Sequence, residues 1–376
     1  TQGVSSAASD VYKRQNPHPS THNPRLNPRL CTPFFYLCSA ASLLLMRSSL
    51  LSAILLFAGH VLAADDAFAQ QRQLGKGMNM GNCLEAPSEG AWGVRIHDED
   101  FTRLKAAGFD SVRIPVRWSA HAAKTAPYSI EPAFMERVDH VIRAALAANL
   151  AVVLNVHHYD ELDKDPAGHR ERFTTLWTQI ATHFAAFPDR LQFEADNEPH
   201  DQLTAKEWNL AFAAALKEIR KANPTRAVHV GGVQWNQVGT LKDLDLPADD
   251  RHLILHIHYY SPFHFTHQGA PWMKEAAAWK GTKWDGTPAD QAAVRKDFDV
   301  AVAYAKAQNR PVHLGEFGTC AGVEDMAARV RWTSFVRKAA EERGFTWSYW
   351  EYQANFGIWD PKAQTWRTPL LEALVK

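Results

Sequence analysis

Residues 191–199 read Leu-Gln-Phe-Glu-Ala-Asp-Asn-Glu-Pro. The stretch begins as a short apolar strand, turns polar, and stops at a proline that cannot donate to a ladder, which marks Glu198 as the strand's end. The same layout recurs on either side. From Gly75 onward the chain predicts eight strands, at Lys76–Asn82, Ser111–Val116, Ala151–His158, Leu191–Glu198, Ala227–Val233, Leu253–Tyr260, Pro311–Phe317 and Phe345–Tyr352. Amphipathic stretches at Phe134–Asn149, Glu171–Phe187, Lys206–Asn223, Ala289–Asn309 and Val323–Arg343 separate them, with apolar residues at helical spacing. Strands alternating with helices over about 300 residues predict an α/β fold of the (β/α)8 TIM-barrel kind in one domain. An open doubly wound sheet is the alternative, but no Gly-x-Gly-x-x-Gly turn follows the first strand.

Composition narrows the partner. Lys plus Arg and Asp plus Glu both number 41 in the 376 residues, so no net charge draws the chain to nucleic acid or to an anionic membrane. A neutral substrate suits that balance. Cys31 and Cys38 lie near the start, Cys83 and Cys320 in the folded part. That is no disulfide framework, and Cys83 with Cys320 reads equally as a bridge or as two free thiols. Residues 1–45 look like a non-native or read-through leader, and residues 46–69 like a signal peptide, with Met46-Arg47, the apolar run Leu50–Ala58 and small residues at 61–63 and 67–69. The run is shorter than the roughly 20 residues a span requires. A secreted, monomeric catalytic domain over residues 70–376 is the expectation, with no stable membrane association.

In a (β/α)8 barrel, polar groups at strand C-termini have a specific meaning, because active sites are assembled there. Here those ends carry Asn82, Arg113, His157 with His158, Asn197 with Glu198, His258 with Tyr260, Glu316, and Trp350 with Glu351. Two of them, Glu198 and Glu316, are carboxylates. Glycosidic cleavage requires one carboxyl group to protonate the leaving oxygen and a second to attack, or to stabilise, the oxocarbenium-like centre. Two carboxylates at strand ends meet that need and suit a polysaccharide or oligosaccharide substrate, with no cofactor and no metal expected.

The motifs Asn197-Glu198-Pro199, Gly315-Glu316-Phe317-Gly318, Ser111-Val112-Arg113-Ile114-Pro115, His157-His158 and His258-Tyr259-Tyr260, in that combination, resemble glycoside hydrolase family 5, from about Gly75 to Lys376. The resemblance implies Glu198 as general acid/base and Glu316 as nucleophile of a retaining endo-β-1,4-glycanase. It makes β-1,4-glucan the first substrate and β-1,4-mannan or glucomannan the alternative. It also implies substrate contacts by Asn82 and Glu85 on the first loop, by Arg113, His157, His158, Asn197, His258 and Tyr260, by Trp350 as stacking floor, and by His267 and Trp272 on a later loop. Retention predicts carboxyl groups about 5 Å apart.

Asp196 departs from the family's usual apolar residue before Asn-Glu-Pro. If buried and ionised, it would raise the pKa of Glu198. His256 reads as a barrel-interior histidine. Trp177, Trp208 and Trp332 read as packing residues, and Asp160, Glu161, Asp163 and Asp165 as a solvated loop. Two rival readings are a metal-dependent barrel, suggested by His157-His158 and His256-Ile257-His258, and a catalytically silent carbohydrate-binding barrel.

Overall fold

A computed structural model of the chain describes residues 66–376. The expected leader at 1–45, and the signal peptide as far as residue 65, lie outside the described residues. Eight parallel strands close on themselves in chain order: β1 (Lys76–Asn79), β2 (Ser111–Ile114), β3 (Ala151–Asn155), β4 (Leu191–Glu194), β5 (Val228–Gly231), β6 (Leu253–Tyr259), β7 (Val312–Phe317) and β8 (Thr346–Tyr349). The last pairs with the first, Gly77 opposite Ser348. Among the described residues the helices of seven or more residues are α1 (Asp66–Arg72), α2 (Asp98–Ala106), α3 (Pro132–Ala147), α4 (Pro166–His183), α5 (Ala205–Ala222), α6 (Pro288–Gln308), α7 (Met326–Glu341) and α8 (Thr368–Val375). None is long and apolar enough to cross a membrane.

Strand alternation divides each strand into two sets. One set, including Val112, Ile114, Val152, Leu154, Phe193, Val230, Leu255, Leu314 and Trp347, joins the helices in one apolar layer. The alternate set fills the barrel and is largely polar: Asn79, Ser111, Arg113, Asn155, Gln192, Glu194, His229, His256, His313 and Ser348 are all buried. Bulky branched side chains usually fill such an interior. Here hydrogen bonds must hold it together, because buried polar groups without partners are costly.

Several strands end earlier than the sequence predicts. β1 stops at Asn79, β3 at Asn155, β4 at Glu194 and β8 at Tyr349, so the polar residues at the predicted ends sit just beyond the ladder. Left-handed backbone at Asn82 (φ 67°) and His158 (φ 51°) is one reason, since neither conformation continues a strand. The fifth unit has no full helix; a left-handed turn over residues 234–236 leads into a 3₁₀ segment at Val238–Asp243. Helix ends follow ordinary capping chemistry: Thr287 and Asp290 form a capping box on α6, and Thr204 accepts from the Glu207 N–H on α5.

The buried tryptophans pack, as expected, and also fasten strand ends. Trp177 donates to the Ala195 carbonyl at 2.9 Å, Trp208 to Gly231 at 2.9 Å and Trp332 to Ser261 at 3.0 Å. At the opposite end of the barrel, Gln70 of α1 donates to the Thr225 carbonyl at 2.9 Å and accepts from the Ala227 N–H at 2.7 Å. The domain boundary expected at residue 70 therefore falls inside α1, whose Ala67 packs on Ala227 and Ile254. Cys83 and Cys320 are both free thiols.

Arg226 is a further fastening at that end. Its guanidinium donates to the carbonyls of Pro188 (2.9 Å), Leu191 (2.6 Å), Phe184 (3.1 Å) and Phe187 (2.9 Å) and to the Asn223 side chain (2.7 Å). Truncation leaves several buried carbonyls unpaired. Arg226→Ala is expected to lower the unfolding free energy by about 3 kcal/mol in urea titration, with KM unchanged because the contact lies far from the strand C-termini.

Candidate active site

The buried guanidinium of Arg113, on β2, organises the mouth of the barrel. It donates from Nε and Nη2 to the two carboxylate oxygens of Glu194, both at 2.6 Å, and from Nη2 to Asn197 Oδ1 at 2.7 Å. Nη1 donates to Asn79 Oδ1 at 2.8 Å and to Glu316 Oε1 at 2.7 Å. A guanidinium has five N–H donors, and all five are used. Asn79 in turn donates to the carbonyls of Gly315 (2.9 Å), Ser348 (3.2 Å) and Tyr349 (3.2 Å).

Glu316 and Glu198 come together above this cation. Tyr260 donates its hydroxyl to Glu316 Oε2 at 2.9 Å. His258 Nδ1 lies 2.7 Å from Glu198 Oε1 and 3.6 Å from Glu316 Oε2. Carboxylate oxygens of Glu198 and Glu316 approach within 4.8 Å of each other. That close approach is compatible with the about 5 Å carboxyl separation of a double displacement.

The two carboxyls differ in electrostatics. Burial pushes Glu316 up, and Arg113 and the Tyr260 hydroxyl pull it back, so that it comes to about 6. Burial outweighs the cation, yet Glu316 remains the less raised of the two carboxyls. Burial first, and the neighbouring Glu316 second, hold Glu198 well above the usual carboxylate range. Since 24% of the Glu198 side chain still meets solvent, desolvation there is incomplete and the repulsion from Glu316 carries correspondingly more of the effect. This order places a proton held by the pair on Glu198 before Glu316.

Asp196 contributes less than its position suggests. It is buried, and burial, followed by Asp163 and Glu194, pushes its own carboxyl well above the usual range. Its effect on Glu198 is smaller than those of Glu316, Arg113 and Asp163. Asp163 is not part of a solvated loop as expected. It is buried, accepts from the His200 N–H at 3.2 Å, and burial pushes it up to about 7.

Of the other predicted residues, His157 is buried, bonded to Asn155 at 3.1 Å, and stacked on Trp350 with ring centroids 5.9 Å apart. His158 is exposed and meets Trp92 edge-on at 5.8 Å. A Cβ on Gly81 would lie 2.9 Å from the Trp350 ring, so glycine there makes room for the indole. His267 is buried behind Tyr260, 4.9 Å between rings, and stacks on Phe263 at 4.0 Å; Trp272 is 37% exposed beside it.

Glu85 corrects the sequence reading. It is fully buried, its oxygens accept the backbone N–H groups of Asn82 and Cys83, and burial pushes it up to about 8. It ties the first loop and presents no surface to a sugar hydroxyl, leaving Asn82 as the partly exposed residue of that pair. Sequence reasoning also missed Glu194, Asn79 and Asn155. Their signal was alternation, which places polar side chains two residues apart on inward-facing positions.

Two sets of three groups, Glu194–His256–His258 and Glu198–His258–Glu316, have donor atoms close enough to chelate an ion. Arg113 sits 2.6 Å from Glu194 and 2.7 Å from Glu316. Its fixed positive charge occupies the electrostatic place a divalent cation would take and repels one.

A closed (β/α)8 barrel with this carboxylate pair at its strand C-terminal mouth defines a glycoside hydrolase. Comparison with known proteins narrows the class. The model of the cellulase family, glycosyl hydrolase family 5, matches residues 72–356. Endoglucanase H of Acetivibrio thermocellus is 39% identical over 83% of this chain, and the match spans only 34% of that longer protein. Solved structures of Thermotoga maritima Cel5A, one with cellobiose and one with mannotriose, are each 45% identical, with TM-score 0.81, over 82% of this chain and 100% of theirs. The chain belongs to glycosyl hydrolase family 5.

The hydroxyl of Tyr260 stabilises the ionised form of Glu316, so its removal raises the pKa of that group. Tyr260→Phe is expected to move the acid limb of the kcat/KM profile upward by about one pH unit. A limb that stays in place would show that the hydroxyl does not control the ionisation.

Proposed function

We propose that the chain is a secreted endo-β-1,4-glucanase that works by retaining double displacement. The observation that carries this reading is the approach of Glu198 and Glu316 to within 4.8 Å, with Glu198 held further above the usual carboxylate range than Glu316. Glu198 gives its proton to the glycosidic oxygen while a Glu316 oxygen attacks the anomeric carbon, and the bond to the leaving sugar breaks. Water then gives a proton to Glu198 and its oxygen bonds to that carbon, releasing Glu316.

The surrounding groups suit this sequence. Arg113 holds Asn197 by Oδ1, which leaves its NH2 group as the donor for the sugar 2-hydroxyl, a contact that strengthens in the transition state. Trp350, braced by Gly81 and His157, offers an indole face to the apolar face of a pyranose ring. His158, Asn82 and Trp272 are exposed enough to contact neighbouring sugar units, while His267 acts through the placement of Tyr260.

Glucan as substrate is supported by the endoglucanases among the relatives, including Endoglucanase H and Endoglucanase B of Clostridium cellulovorans. The mannotriose complex of the Thermotoga protein makes mannan the comparison to run. Export is supported by the signal-like residues 46–69, and a monomer is the simplest assembly for a barrel whose mouth is complete in one chain.

Soluble β-1,4-glucan, glucomannan, galactomannan and xylan assayed side by side should give the highest kcat/KM on glucan, and a higher value on galactomannan would overturn the choice. Glu316→Ala should abolish hydrolysis and Glu198→Gln should lower kcat by about 10²–10⁴-fold. Proton NMR of the first products should show the β-anomer. Appearance of the α-anomer first would rule out retention.

A further inference from the structure

Below Glu198 a row of buried side chains descends through the barrel. His258 and His256 lie on β6, His229 on β5 and Gln192 on β4, all facing the interior. Glu198 Oε1 is 2.7 Å from His258 Nδ1, and His258 Nε2 is 3.1 Å from His256 Nε2. His256 Nδ1 is 3.4 Å from His229 Nδ1, and His229 Nε2 is 2.8 Å from Gln192 Oε1. Gln192 Nε2 donates to the backbone carbonyl of Gln70, in α1, at 2.7 Å.

The direction of this row is set from its lower end. A carbonyl only accepts, so Gln192 must turn its NH2 to Gln70 and its oxygen to His229. His229 therefore carries its proton on Nε2. A neutral imidazole has one N–H, which makes His229 Nδ1 an acceptor and His256 Nδ1 the donor to it. His256 Nε2 then accepts from His258 Nε2, and His258 Nδ1 is left with a lone pair facing Glu198. Only a protonated carboxyl satisfies that lone pair.

We propose that the row Gln192–His229–His256–His258, anchored on the Gln70 carbonyl, is a one-way hydrogen-bond relay that holds Glu198 in its proton-donating form. The inference rests on the acid/base role proposed for Glu198. His229, His256 and Gln192 are positioning residues, since none reaches the substrate side of the site. The relay needs neutral rings, and burial, with Arg113 nearby, holds all three histidines below their ordinary range. The other charged or titratable groups facing it are Glu194 Oε1, 3.8 Å from His256 Nε2 and already bonded to Arg113 and Asn155, Glu316 Oε2, 3.6 Å from His258 Nδ1, and His313. Asp163 and Asp196 face Glu198 itself.

The relay also bears on turnover. Once Glu198 has given its proton to the leaving oxygen, its carboxylate faces the His258 lone pair. That repulsion favours recovery of a proton from the water that attacks in the second step.

Long-range proton–nitrogen correlation spectra of ¹⁵N-histidine-labelled enzyme, in the resting state at neutral pH, report each tautomer directly. Nε2–H is expected for His229 and His258, and Nδ1–H for His256. An Nδ1–H tautomer at His258, or an imidazolium at any of the three, would overturn the proposal. Gln192→Leu removes the directing acceptor, so His258 should turn its N–H toward Glu198 and the basic limb of kcat/KM should move down by about one pH unit. An unmoved limb in the folded variant would also overturn it. Because the wild-type tautomers are read without substrate, their failure is separate from a failure of the glucanase reading, which shows as absent hydrolysis.

Discussion

A fully buried arginine is the constraint around which the mouth of this barrel is arranged. Taking a guanidinium out of water costs several kcal/mol unless its charge and its donors are met. Arg113 meets that cost with five hydrogen bonds to groups from β1, β4, the turn after β4, and β7. Each partner is thereby placed to within hydrogen-bond tolerance. Glu194, held by two bonds, balances most of the charge, and this leaves Glu316 with one direct contact instead of two. Glu316, at about 6, is consequently supported as an anion without being over-stabilised, which suits the nucleophilic role proposed for it. Had Arg113 gripped both its oxygens, the carboxylate would be a poorer attacking group.

The same arrangement separates the two carboxyls by function. Glu316 rests on a cation and a phenol, whereas Glu198 rests on a neutral imidazole and faces the negative charge of Glu316. Two carboxyls this close cannot both ionise readily, so the less supported one keeps the proton. The titration belongs to the pair, and removing either member changes what the other does. The apolar layer outside the strands lets this polar interior exist, because packing of helices on strands supplies the burial free energy that a polar barrel lumen does not.

The fold was legible in the sequence because its signals are local: apolar runs, helical spacing, and a proline such as Pro199 at a strand's end. Glu198, Glu316, Arg113, Tyr260 and Trp350 were legible because each lies at or near the end of an expected strand, and the first four also fall in recognisable motifs. Glu194 was not, although it makes two of the five bonds to Arg113, because a glutamate in mid-strand reads as ordinary until the barrel closes around it. Glu85 misled for the opposite reason. Its loop lies at the rim, but the chain turns at Asn82 (φ 67°) and folds the carboxyl inward onto backbone N–H groups. Strand lengths were overestimated wherever polar residues leave the ladder to face the site.

Gly315 shows how closely the site and the barrel wall are coupled. Ile257 pairs with Leu314 and His258 with Glu316, so Gly315 is an extra residue in β7 that forms a bulge. Without the bulge, His258 would lie opposite residue 315, and Glu316 would turn toward the helices instead of the mouth. The same position must also lack a side chain, since a Cβ there would lie 1.9 Å from His256 Nε2. One glycine therefore permits both the register that presents Glu316 and the space for the ring beneath Glu198. A larger residue would displace His256 and, through His258, disturb Glu198, so the two carboxyls are linked through the backbone of β7 as well as through the field between them.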